Sequence, residues 1–137
     1  MSLTELEKWE LRLSAVLNRV DTKLEERFGA DFPRRANRPP PGATSNPKYD
    51  GLFSLGSAFS LGFASGDGPN YVISIRLSTF ATIQPEAWAE ILQFALEQIQ
   101  LELDNEFLPQ KLTASIDSDI IRITGDLNFN NSDYQKE

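Results

Sequence analysis

Two arginines in this 137-residue chain stand where a strand dictates the direction of a side chain. Arg76 lies between Ile75 and Leu77, and Arg122 between Ile121 and Ile123. Successive side chains in a strand point to opposite faces, so if the aliphatic neighbours enter a core both guanidinium groups face away from it. Ser54, Gly56, Ser60, Ser74, Ser78, Thr113, Ser115 and Thr124 are expected on that same outer face. A guanidinium offers a rigid fork of donors that matches a carboxylate or phosphate, and hydroxyls add neutral donors around it. The chemistry implied is anion binding, with Arg76, Arg122, Ser60, Ser74 and Ser115 as candidate ligand residues. The plainer reading is a solvated sheet face, which antiparallel sheets commonly have.

Catalysis has few residues to work with. The chain contains no histidine and no cysteine, so it lacks the usual general base, thiolate nucleophiles and the commonest transition-metal ligands. No cofactor is implied, and the expectation leans away from an enzyme. Asp117, Asp119 and Asp126 are oxygen ligands, but their spacing matches no calcium loop, and aspartates favour turns for their own reasons.

The segment LFSLGSAFSLGFASGDG at 52–68 has the look of a phosphate-binding glycine loop. It lacks both G-x-G-x-x-G and G-x-x-x-x-G-K-[ST], and no lysine is close by. From Phe53 to Ala64 bulky and small residues alternate instead, which is the period of a strand. After a turn over 64–70, Tyr71, Ile73, Ile75 and Leu77 alternate in the same way and complete a hairpin. That pairing is expected to set Arg76 opposite Ala58 or Ser60.

Four further elements follow from periodicity and punctuation. Leu6, Trp9, Leu13, Val16, Leu17, Val20, Leu24 and Phe28 form one face of a helix over 3–28, with Gly29 at its C-cap. A second helix over 85–107 opens on Pro85 and carries two apolar stripes. Trp88, Ile91, Leu92, Ala95, Ile99 and Leu103 make one, and Phe94, Leu101 and Leu108 the other. The run LTASIDSDIIRITGDL at 112–127 is a second hairpin turning near Ser118-Asp119. The expected architecture is α+β, a single domain of order αββαββ: about four antiparallel strands from two hairpins, with two long helices packed on one face.

By segment, the chain divides into an amphipathic helix (1–30), a Pro/Arg-rich linker or wrapping loop (31–50), a β-hairpin–helix–β-hairpin core (51–127) and a polar tail (128–137). Between 32 and 48 the loop carries Arg34, Arg35, Arg38 and Lys48 and no acid, within a chain whose net charge is −7. An acidic body repels nucleic acid and anionic membrane at long range, so nucleic-acid association through residues 34–48 ranks last among the readings. A disordered arm would be removable, over 34–47, at little cost in stability. No run approaches a membrane span and the N-terminus lacks the apolar stretch of a signal peptide, so the cytoplasm is the expected location.

The surplus of apolar helix surface makes a non-enzymatic protein-interaction module the leading expectation, with the chain itself, as a homodimer, or another protein as partner. Its interface is expected at Phe94, Leu101, Leu108, Leu13 and Val20. The alternative is small-anion binding or catalysis around Arg76 and Arg122.

Overall fold

Thr4 begins the first helix by accepting the Glu7 amide through Oγ1, while the Glu7 carboxylate accepts the Thr4 amide, which satisfies two end donors reciprocally. That helix, α1, runs Glu5–Phe28 and ends at Gly29. The structure, a computed structural model, describes residues 4–62, 68–107, 110–125 and 127. After a short 3-10 turn at Pro47–Tyr49 come β1 (Phe53–Ser60), β2 (Asn70–Leu77), α2 (Pro85–Glu106), β3 (Leu112–Asp117) and β4 (Ile120–Gly125). The four strands form one antiparallel sheet in the order β1-β2-β4-β3, with both helices against one face. The domain is α+β, as its order αββαββ implies.

Alternation decides which side chains enter the core. Phe53 and Leu55, Tyr71, Ile73 and Ile75, Leu112 and Ala114, and Ile121 and Ile123 are all buried beneath the helices. The apolar stripe of α1 and the main stripe of α2 close over them from the other side. Of the second stripe of α2, Phe94 meets α1, packing edge-on against Phe28 with ring centroids 5.5 Å apart. The helices run antiparallel, because Arg27 pairs with Glu90, Lys23 with Glu102 and Arg12 with the Glu106 carbonyl. Glu102 is the centre of this seam, taking Arg19 Nε at 2.6 Å and Lys23 Nζ at 3.0 Å. Burial opposes its ionisation, but the two cations outweigh burial and hold its pKa below the ordinary value.

The first hairpin is shorter than its alternation. Pairing begins at Phe53↔Leu77 and stops at Ser60↔Asn70, although the small–large pattern runs on to Ala64. Gly62 takes φ +75°, outside the extended region, and an added Cβ there would sit 2.0 Å from the Gly68 carbonyl oxygen. Arg76 consequently pairs with Ser54, a different partner from Ala58 or Ser60, although the face is the one alternation demands. The second hairpin turns through Ser118 and Asp119, with Ser118 left-handed at φ 60°.

The Pro/Arg-rich segment is pinned along its length. The Arg38 guanidinium donates to the carbonyls of Lys48 (2.8 Å), Gly51 (3.0 Å), Asp50 (3.0 Å) and Phe53 (3.4 Å). Gly51 donates back to the Pro39 carbonyl at 2.9 Å, and the Arg35 amide to Ser78 at 2.9 Å. Arg34 reaches the Arg38 carbonyl, and Arg35 lies 4.2 Å over the Phe80 ring. A segment with these bonds is a strap across the sheet edge, so the expectation that 34–47 is removable at little cost does not fit it.

Candidate functional site

The outer sheet face holds two arginines that do not converge. Arg122 is registered against Val72 on the neighbouring strand, and Arg76 lies four residues further along, roughly 13 Å at strand spacing. Their surroundings differ as much as their positions. Arg122 is committed: Nε donates to Asp117 at 2.6 Å and Nη1 to the buried Asn70 side chain at 3.0 Å. Ser115 pairs with it across β3–β4 and is exposed. Ser60 lies at the far end of β1, where its hydroxyl accepts the Gly62 amide at 3.1 Å.

Arg76 is exposed and has no ion pair or side-chain hydrogen bond among the described residues. It shares a concavity of about 230 Å³ with Lys48, Ser54, Gly56 and Ser74. The register explains the grouping, since Ser54 faces Arg76 and Gly56 faces Ser74 on adjacent strands. Gly56 leaves the floor open: a Cβ there would meet only Ser74 Oγ, at 3.7 Å. Lys48 arrives from the short 3-10 turn, which packs on β1. The lining thus presents two cations and two hydroxyls with no carboxylate, and it suits a small oxyanion. Of the five residues expected to form one site, Arg76 and Ser74 are brought together, and Arg122, Ser115 and Ser60 lie elsewhere. Lys48 and Ser54 complete the group; Ser54 was legible from strand parity, but Lys48 depends on the path of the strap.

Opposite this concavity, across the β1 edge, the strap meets α1 in a second cleft of about 340 Å³ lined by Asp21, Thr22, Glu25, Thr44, Ser45 and Asp50 among others. Asp50 Oδ2 accepts the Thr44 amide at 3.0 Å and the Thr44 hydroxyl at 2.7 Å. Burial works against that carboxylate, but these bonds, the Gly42 backbone and the Arg38 charge more than offset it and lower its pKa. Glu25 Oε1 accepts the Phe53 amide at 2.8 Å. Asp21 is 3 % exposed and has no hydrogen bond or ion pair among the described residues. Burial, reinforced by Glu25 and Asp50 and opposed by Arg38, pushes its pKa from 3.8 up to about 8. Asp21 belongs to the buried face of α1, continuing the spacing Leu17, Asp21, Leu24, Phe28, and a carboxylate on an apolar stripe was the signal available in sequence.

The residues expected at a protein interface are placed mostly within the chain's own packing. Leu13 and Val20 are 1 % and 0 % exposed in the core, and Phe94 is covered in part by Phe28. Leu101 remains 51 % exposed, and Leu108 lies outside the described residues. A long helix with apolar residues on two sides needs two neighbours, and here the sheet covers the main stripe while α1 reaches Phe94 of the second. Neither a metal-ligating group of three or more acidic side chains nor a helix long and apolar enough to cross a membrane occurs among the described residues. Asp117 is taken by Arg122, and Asp126 lies outside those residues.

No solved structure matches the chain. A protein of Borreliella burgdorferi described as "Uncharacterized protein" is 30 % identical over 125 residues, covering 91 % of this chain and 98 % of that one. Both the concavity and the cleft fall within residues 4–125, which match the model of a family described as "Uncharacterised protein", and the chain belongs to that family.

Proposed function

We propose that this protein binds a small oxyanion, a carboxylate or phosphate group, in the outer-face concavity formed by Lys48, Ser54, Ser74 and Arg76. The observation that carries this reading is the acid-free lining around an arginine with no partner among the described residues, in a chain of net charge −7. In an acidic protein, cations are most often spent on neighbouring carboxylates, as Arg122, Arg27 and Lys23 are here. Two cations left beside two hydroxyls and an open glycine floor favour an anionic guest. Binding is proposed without turnover, because among the described residues no hydrogen bond joins Ser54 or Ser74 to Lys48 to make a nucleophile–base pair.

The test is a thermal-shift titration with inorganic phosphate, sulfate and citrate at fixed ionic strength. An anion at ten times its Kd stabilises the fold by about 1.4 kcal/mol, a shift of a few degrees for a domain of this size. Arg76→Ala should abolish the shift, and Arg122→Ala should leave it intact, because Arg122 is already bonded elsewhere. Equal responses from wild type and Arg76→Ala would defeat the proposal.

A second reading, docking of another protein, is favoured by one feature. Leu77, Thr79, Ala81, Ile83, Pro85 and Trp88 line an apolar concavity of about 500 Å³, beside Phe80, which is 84 % exposed. Exposed aromatic and aliphatic surface of this kind is common at interfaces. Phe80→Ser would weaken such an association and leave anion binding unchanged.

A further inference from the structure

We infer that the cleft between α1 and the 41–50 strap is a second binding site, taking a compact organic cation with N–H donors, a primary ammonium or a guanidinium, with Asp21 as its principal acceptor. Three carboxylates meet there, and two are already committed to this chain's own donors. Asp50 holds the Thr44 amide and hydroxyl, and Glu25 holds the Phe53 amide. Asp21 is 97 % removed from solvent, lines the cleft, and has no such donor among the described residues. An unpartnered carboxylate on so buried a residue is rare in folded proteins, and because Asp21 lines the cleft a guest there can supply its partner.

The charges define the guest. Asp21, Glu25 and Asp50 face the cleft from α1 and the strap, and the cation that acts on Asp21, Arg38, is spent on four backbone carbonyls. The acids are not disposed to surround a metal ion, since two of them already turn their oxygens to amides. An ammonium needs only one strong acceptor and neutral oxygens beside it. Thr22 and Ser45 provide hydroxyls at the rim. Pro41 and Pro47 furnish apolar wall for a short carbon stem. The cleft holds about 340 Å³, enough for a guest of a few carbons.

The guest must find Asp21 ionised, whereas burial keeps it largely protonated at neutral pH, with a pKa of about 8. Each cation bound therefore releases a proton, and apparent affinity should rise about tenfold between pH 6 and pH 7. The probe is n-butylammonium chloride, titrated calorimetrically and by thermal shift at pH 6, 7 and 8. Tetraethylammonium, sodium and magnesium chlorides at matched ionic strength serve as comparisons. Wild type should respond to n-butylammonium with proton release and not to tetraethylammonium, which has the charge but no N–H. Asp21→Asn, close to isosteric, should lose the response. Ser45→Phe, at an exposed rim position away from the core, should weaken it at least about tenfold with the same far-UV spectrum as wild type. A wild type silent at pH 8, an Asp21→Asn protein that responds equally, or a response to magnesium or tetraethylammonium of the same size would overturn the inference.

Discussion

Replacing Asp21 by asparagine should make the protein more stable, and by an amount that grows with pH. The aspartate folds into a setting that carries its pKa from 3.8 to about 8, with burial the largest cause and Glu25 and Asp50 adding to it. Between those two values the folded state holds one proton more than the unfolded state. Stability must therefore fall as pH rises through that window, by about 1.4 kcal/mol per pH unit for a single proton. Over the whole window that slope would sum to roughly 6 kcal/mol, and solvent reaching the cleft screens the carboxylate and brings the loss below that figure. The total depends on how far burial carries the pKa, whereas the slope depends only on one proton. Asparagine has no proton to exchange, so the difference between the two proteins isolates this residue from every other titrating group. Urea unfolding of both at pH 5, 6, 7 and 8 measures it. The variant should gain on the wild type at each step, with unchanged m-values. Parallel stability profiles, or a wild type that gains on the variant as pH rises, would show that Asp21 is solvated or paired and that the cleft holds no unpartnered acceptor.

The strap offers the next test: Arg38→Ala strips a cation from four carbonyls and should cost about 3 kcal/mol or more, with Arg38→Lys recovering only a part, because charged hydrogen bonds contribute about 1.5–3 kcal/mol each and do not sum. Deleting 34–47 should destabilise at least as much, as read by thermal melting. Gly51→Ala should be costly out of proportion to its size, by about 1–3 kcal/mol in urea unfolding, since φ is +70° and the new methyl would lie 2.2 Å from Glu25 Oε1. Glu102→Gln removes the charge and one of the two oxygens that Arg19 and Lys23 share, and should cost about 1–2 kcal/mol at neutral pH. Because the Glu102 pKa is lowered on folding, that contribution is present above its ordinary value of 4.5 and disappears as pH falls through the lowered one, which acid titration of the two proteins checks.

What could be read in the sequence was whatever depends on local periodicity. Alternation along 53–60, 70–77, 112–117 and 120–125, and three-and-four spacing along the helices, establish which side of each element is buried. For that reason the direction of Arg76, away from the core, follows from its place between Ile75 and Leu77 alone. Register and strand order obey other constraints. Pairing runs from Phe53↔Leu77 to Ser60↔Asn70 and stops before Gly62, which has left the extended region, and no alternation pattern carries that information. The order β1-β2-β4-β3 places Arg122 beside Val72 and so separates the two arginines.

The apolar excess on the helices was equally legible, but its occupant was not. A stripe records that something must cover it, and only the antiparallel seating of α1 on α2 decided that Phe28 covers Phe94 while Leu101 stays half exposed. The strap shows the same division most sharply. Its prolines and arginines read locally as an extended basic arm, because composition reports the conformations a segment prefers and not the carbonyls within its reach. Folding sets Arg38 among four of those carbonyls, swings Lys48 to the outer face beside Arg76, and lays Asp50 over Asp21 on the inner side. The sequence by itself determined the elements, their buried faces and the absence of histidine and cysteine chemistry. The two candidate sites were decided by tertiary structure alone, since each joins residues that are neighbours only once the strap has crossed the sheet edge.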